Sequence, residues 1–330
     1  MSSDIRPDIS VVIVSFNTGP LTRECLQTLE ANAGGVRYEA IVVDNVSCDG
    51  SPDMIEREFP EAKLIRSSVN LGFAAANNRA FPLARGRYIV LLNSDAFVQP
   101  GALPAAVEKM DRNPHVGLAG ARLVGRDGSW QPSARMFPSL LNDFLTLSGL
   151  AAARPRSRFF GRLDRTWAPA DQAAEVDWVP GAFSILRREV LEKVGPFDER
   201  FFLYYEEVEL CRRIKAAGYS VLYWPEIVVV HLGGESSKTV KRLTMSSSGA
   251  QLTLWRMRSA LLYYRKHHGA GVWPVARMEW AWHKLRAWKN RGSADPARAA
   301  KAEESATLSA LMERAWSETR GGRIAPPTPW

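Results

Sequence analysis

Four short apolar runs alternate with amphipathic stretches through the first 112 residues, and that alternation restricts the fold more than any other feature. The runs are 9–15 (Ile-Ser-Val-Val-Ile-Val-Ser), 39–43, 63–66 and 88–92. Each is short enough for a buried strand and rich in branched aliphatic residues. Between them, 18–29 sets Leu21, Cys25, Leu26 and Leu29 at helical spacing, and 51–58, 74–84 and 104–112 read as further helices. Strands alternating with helices predict an α/β fold: a Rossmann-like, mostly parallel sheet with helices on both faces and right-handed crossovers. Ligands of such sheets bind at the carboxyl ends of the strands, so the residues just past each run are the first candidates for a site.

Past residue 115 the pattern loosens. Val116–Leu123 and 177–186 read as strands. The Pro- and Arg-rich stretch 130–170 reads as a loop or flap, with Arg154, Arg156, Arg158 and Arg162 either a solvated face or an anion-holding one. A helix over 205–217 stops at Gly218, and strands follow at 220–223 and 227–230. Cys25, Cys48 and Cys211 have no close spacing, which argues against a disulfide framework or a zinc site and suits a reducing compartment. No apolar run approaches the roughly 18 residues of a membrane span, and the polar start shows no signal pattern. The net charge of +8 is uneven: residues 1–245 balance at 29 basic and 29 acidic, whereas 246–330 carry 14 basic and 6 acidic. This divides the chain into a body (1–245), a basic, Trp-rich helical region (246–292), and a short helix with a disordered tail (293–330).

The strand ends carry the chemistry. The fourth run closes in Asn93-Ser94-Asp95, which is either a polar turn or a carboxylate placed to hold a divalent ion and, through it, a diphosphate. The first ends in Ser15-Phe16-Asn17-Thr18-Gly19, without the Gly-x-Gly-x-x-Gly of dinucleotide enzymes. The second ends in Asp44-Asn45, where a carboxylate can accept from a base N–H or a ribose hydroxyl, or can merely cap a helix. Asn70-Leu71-Gly72-Phe73 opens a helix, with Gly72 permitting close backbone approach.

Together these motifs resemble family 2 inverting glycosyltransferases of the GT-A fold, in particular the bacterial rhamnosyltransferase-like branch that builds cell-surface polysaccharides. The marks, in order, are Val-Val-Ile-Val-Ser-Phe-Asn, Val-Val-Asp-Asn-x-Ser-x-Asp-Gly-Ser, Asn-Leu-Gly-Phe-Ala-x-x-Asn-Asn, Leu-Leu-Asn-Ser-Asp, Pro-Gly-Ala (180–182), Gly-Pro-Phe-Asp-Glu (195–199) and Phe-Phe-Leu-Tyr-Tyr-Glu-Glu-Val-Glu-Leu (201–210), then His231. The likeness covers about 9–240. It implies Mg²⁺ or Mn²⁺ held by Asp95 and His231. It implies Glu207 as the base with Glu206 its neighbour, although the family usually has Glu-Asp there and acidic residues in a first helical turn also suit the helix dipole. It further implies donor contacts from Ser15, Asn17, Asp44, Asn70, Gly72, Phe73, Asn77, Asn93 and Ser94. Trp178, Pro180, Gly181 and Ala182 would form a wall for sugar and acceptor. The expected reaction moves a sugar, L-rhamnose from a dTDP donor, onto a glycan or lipid-linked acceptor. The alternatives are a UDP-sugar donor (hexose, N-acetylhexosamine or galactofuranose) or a binding protein that keeps the fold without catalysis.

Residues 254–291 hold nine basic residues, one acid (Glu279) and seven Trp or Tyr. Leu254, Met257, Leu261 and Tyr264 share one helical face; Val275, Met278, Ala281, Trp282 and Leu285 share another. Basic, Trp-bearing amphipathic helices suit an anionic membrane surface, which would set the enzyme on the cytoplasmic face of the inner membrane. The other reading packs them on the body or on a second copy, giving a homo-oligomer. No nucleic-acid motif accompanies the charge.

Overall fold

The structure is a computed structural model that describes residues 6–233 and 249–327. β1 (Ile9–Ser15), β2 (Tyr38–Asp44), β3 (Lys63–Arg66) and β4 (Tyr88–Asn93) run parallel, connected by α1 (Gly19–Ala31), α2 (Ser51–Glu58) and α3 (Gly72–Ala80). These are the elements that the apolar runs predicted. The other half of the sheet is mixed. β9 (Phe183–Arg187) lies antiparallel between β4 and β6 (Val116–Val124). β10 (Ser220–His231) runs parallel to β6 and antiparallel to β5 (Ala96–Val98). Short strands β7 (Trp130–Gln131) and β8 (Ala174–Val176) pair with β6 and β10. The stretches 220–223 and 227–230, expected as two strands, are one: a bulge between Trp224 and Val228 lets β10 pass Pro225 while keeping β6 as its partner.

Alternation along β1 feeds both faces of the sheet. Val11 and Ile13 pack with Cys25, Leu26 and Leu29 of α1 and with Leu103, Ala106 and Met110 of α4 (Ala102–Arg112). Val12 points the other way, into Ala74 and Ala76 of α3 and Leu210, Cys211 and Ile214 of α8 (Glu206–Ala216). Each fully buried aliphatic side chain contributes about 1.5–3 kcal/mol. Between β9 and α8 runs α7 (Arg188–Val194). The stretch 130–170 is more ordered than a simple loop and contains α5 (Leu140–Leu147), capped by the Ser139 hydroxyl, and α6 (Leu150–Ala153).

Three helices follow: α9 (Gly249–His268), α10 (Val272–Asn290) and α11 (Pro296–Glu318), the last started by Asp295 accepting from the Ala297 N–H. The expected boundary at 245/246 lies outside the described residues. α9 departs from the membrane reading. Its Leu254, Met257, Leu261, Tyr263 and Tyr264 are buried, in a third core with Phe201 and Val208 of the body, Val272 and Val275 of α10, and Leu311, Met312 and Ala315 of α11. Phe201 and Val208 leave an apolar surface beside α8, and the stripe on α9 covers it. The chain past α11 is tied down as far as Ile324, whose N–H donates to the Thr319 carbonyl. Arg265 donates to the Gly321 carbonyl, and Gly322 (φ +79°) lies so close to the Leu261 carbonyl that no Cβ would fit. No helix among the described residues is long and apolar enough to cross a membrane.

Candidate active site

Parallel register puts the strand-end residues in one row: Ser15 beside Asp44, Asp44 beside Arg66, Val14 beside Asn93. Asp44 is buried. Its Oδ2 accepts from the Ser47 N–H at 2.9 Å, while Oδ1 has no hydrogen-bond partner among the described residues. Burial pushes this carboxyl above its ordinary range, against the Ser47 hydrogen bonds. An unmet buried acceptor on the ligand-binding edge suits a donor group brought by a ligand. Asn17 shapes the same corner from a left-handed conformation (φ +51°). Its N–H donates to Ser47 Oγ and its Oδ1 accepts from the Cys48 N–H, at 2.9 and 2.8 Å. Cys48 is the exposed cysteine; Cys25 and Cys211 are buried.

Other expected contacts sit deeper. Ser15 is fully enclosed, its hydroxyl bonded to Thr22 at 2.9 Å. Thr18 links Thr22 to Ser94 at 3.2 and 3.0 Å, so Ser15 and Ser94 belong to a buried hydroxyl chain beneath the site. Asn77 is also buried and donates to the Phe73 carbonyl one turn back. Asn70 meets Asn45, which sequence reasoning passed over: Asn45 donates to Asn70 Oδ1 and the Gly72 carbonyl and accepts from the Leu71 N–H. Gly72 (φ +75°) is required twice, by its backbone conformation and because a Cβ would fall 2.2 Å from the Phe202 carbonyl. That carbonyl accepts from the Phe73 N–H at 2.8 Å.

Asp95 and His231 come together although 136 residues apart. Asp95 Oδ1 lies 3.5 Å from His231 Nε2, and Asn93 Nδ2 lies 3.5 Å from the same nitrogen. Gln131 sets the ring. Its Nε2 donates to the His231 carbonyl at 2.8 Å, so its Oε1, 3.0 Å from Nδ1, must be the acceptor. The proton is thereby assigned to Nδ1, and the Nε2 lone pair faces Asp95. Burial holds the imidazole below its ordinary value, against the charge of Asp95. No third His, Cys, Asp or Glu completes a metal cluster among the described residues. One hard oxygen and one neutral nitrogen fit Mg²⁺ or Mn²⁺ when a bound diphosphate supplies further oxygens.

The opposite wall is built from 177–182 and α8. Trp178 donates from Nε1 to the Met136 carbonyl and lies under the Arg135 guanidinium, 5.1 Å from ring centre. The Ala182 carbonyl accepts from the Asn93 N–H, and Gly181 faces the Phe73 ring, which joins this wall to the strand ends. Pro180 lies between them. α8 opens after two consecutive left-handed residues, Tyr204 and Tyr205, both at φ +68°. Ser259 of α9 holds that turn by donating to the Leu203 carbonyl. Glu206 is buried and Glu207 half-buried, and one oxygen of each is shielded and has no partner among the described residues. Burial, then the charge of Glu207, pushes Glu206 well above the carboxylate range. Burial pushes Glu207 up to about 7, with Arg135 pulling the other way. Glu209 is different: burial opposes, but His267, Lys266 and Arg213 hold it down at about 2.

Residues 10–195 match the family described as glycosyl transferase family 2. The chain belongs to that family. This glycosyltransferase is 30% identical over 245 residues to N-acetylglucosaminyl-diphospho-decaprenol L-rhamnosyltransferase of Mycobacterium tuberculosis, a match covering 69% of this chain and 76% of that one. It is 24% identical to the rhamnosyltransferase WbbL of Escherichia coli, over 70% and 86% of the two chains. Among solved structures, a mannosyltransferase from Pyrobaculum calidifontis in complex with GDP-Man and Mn²⁺ superposes with a TM-score of 0.56 at 18% identity, covering 96% of this chain and 88% of that one. The GT-A fold expected from the motifs is the fold of this glycosyltransferase.

Proposed function

We propose that this glycosyltransferase moves L-rhamnose from dTDP-rhamnose, with inversion, onto a lipid-linked glycan acceptor during cell-surface polysaccharide synthesis. Two rhamnosyltransferases among its relatives support the sugar, and the name of the first supports a polyprenyl diphosphate acceptor. The observation that carries the mechanism is the carboxylate pair at the start of α8. Glu206 is enclosed, its carboxyl pushed well above the usual range by burial. Glu207, the more accessible of the two, has a carboxyl near neutrality. Glu207 therefore takes the proton of the acceptor hydroxyl as that oxygen bonds to the anomeric carbon and the bond to the nucleoside diphosphate breaks on the opposite face. Asp44 accepts from the base or ribose through its unmet Oδ1, and Asn17 fixes the loop around it. Asp95 and His231 would hold Mg²⁺ or Mn²⁺, whose chemistry is to neutralise the departing diphosphate. The wall of Trp178 to Ala182 excludes water beside the transferred sugar. The place of work would be the cytoplasmic face of the membrane that carries the acceptor.

Thermal unfolding with dTDP-rhamnose, UDP-glucose, UDP-N-acetylglucosamine and UDP-galactofuranose, each with and without Mn²⁺, tests the donor. A ligand at a hundredfold excess over its Kd adds about 2.7 kcal/mol of stability. The expected result is a Mn²⁺-dependent rise in Tm with dTDP-rhamnose alone; a rise with a UDP-sugar only overturns the donor assignment. For the base, Glu207→Gln lowers kcat by roughly 10²–10⁴. Full activity in that variant transfers the role to another group.

A further inference from the structure

The third core leaves one basic, apolar surface uncovered. Although α9 buries its apolar face, α10 presents Leu285 and Trp288 to solvent at 57% and 74% exposure. Next to α10 lies α5, with Phe144 edge-on to Trp282 at 6.4 Å. Leu140, Leu141 and Phe144 share one face of α5 and are 40–43% exposed. Isolated apolar residues on a surface are ordinary; five large ones on two touching helices are a patch.

Its charge is as one-sided as its polarity. Arg154, Arg156, Arg158 and Arg162 follow α5 and α6 within nine residues, all exposed, and none has a carboxylate partner among the described residues. On α10, Arg277 and Lys289 are exposed and likewise lack an acidic partner among the described residues. The surface is fastened to the site. Tyr264 of α9 donates to Asp143 of α5, and the Phe137 N–H, three residues before α5, donates to Asp177 at the start of the acceptor wall.

We propose that the joint face of α5 and α10 docks on an anionic bilayer, with Trp288, Leu285 and Phe144 entering the headgroup layer and the 154–162 arginines neutralising lipid phosphates. Exposed Trp and Leu flanked by basic residues, two of which (Arg154 and Arg158) stack on Phe160 and Trp167 rather than on a carboxylate, are what such an interface accepts. This deepens the reading of a lipid-linked acceptor and rests on it. It drops α9 from the expected membrane contact, keeps α10, adds α5, and assigns the arginines of the 130–170 stretch a partner.

The test is co-sedimentation of the full chain with vesicles of phosphatidylcholine and phosphatidylglycerol, against phosphatidylcholine alone. The intact protein should pellet with the anionic vesicles and be released by salt. Arg154→Glu and Arg158→Glu should each weaken partitioning by about fivefold or more, the effect of one basic residue near such a surface. Leu285→Glu with Trp288→Glu should abolish it. Both sites are exposed, and the nucleotide-sugar shift in Tm, measured without vesicles, should be the same in all variants. Equal pelleting by parent and variants, or no pelleting by the parent, overturns the proposal. So does a parent that sediments in the ultracentrifuge as a dimer while Trp288→Glu is monomeric, because the face then joins two copies. Loss of the nucleotide-sugar shift with vesicle binding intact sinks the donor assignment and leaves the docking face standing.

Discussion

Gln131 illustrates how one residue outside the expected site governs it. Its amide satisfies the backbone and the ring of His231 at once, so the imidazole has one tautomer before any ligand arrives. Removing such an outer partner typically lowers metal affinity about 10–100-fold. Gln131→Ala is therefore expected to weaken Mn²⁺ binding by that range, read by titration calorimetry in the presence of dTDP, and to lose the Nδ1–H signature of His231 in nitrogen-15 spectra of the metal-free protein. Glu207 gives a second residue-scale prediction. Its carboxyl, raised from 4.5 to about 7, favours the folded state fully below about 4.5, and that contribution disappears as pH rises through 7. Glu207→Gln should thus flatten Tm against pH between those values, while kcat of the parent falls as pH drops below about 7. Asp44 and Asp95 drew attention in the sequence because a carboxylate just past an apolar run stands out, whereas Glu207 and His231 entered only through the family resemblance. Ser15 and Asn77, expected as ligand contacts, are bonded to Thr22 and the Phe73 carbonyl, partners that are visible only once helices lie on strands. Gln131 carried no sequence signal, since its partner is 100 residues away.

The decisive element is α9. It carries Ser259, which holds the turn before α8, and Lys266, which joins α8 to the loop before it by bonding both Glu209 and Asp198 at 2.7 Å. Glu209 is fully buried, so losing a cation there is costly even with Arg213 still bound. Lys266→Met should destabilise the fold by about 1–3 kcal/mol, measured as a lower urea midpoint. Glu209→Gln in the same chain should recover part of that loss, because the two changes are coupled. The strands of the first half were readable because period and length leave few alternatives. The destination of α9 was not: Leu254, Met257 and Leu261 form an apolar stripe whether lipid or Val208 covers it, and only the fold reveals the uncovered surface beside α8.

At the scale of the molecule, body and C-terminal helices are one folding unit. A chain ending at residue 245 would expose Phe201, Val208 and the left-handed turn at 204–205, and is expected to aggregate or to melt well below the full chain in circular dichroism. A truncated body that melts as the full chain does would contradict this. The placement of the cysteines has another use. Burial raises the Cys211 thiol to about 12 and the Cys25 thiol further still, so neither reacts with a maleimide at neutral pH while the chain is folded. Cys48 stands exposed on the loop that Asn17 and Asp44 organise. The native chain thus carries one chemical handle, set beside the proposed donor site. A fluorophore attached there turns the unmodified sequence into its own optical gauge of nucleotide occupancy.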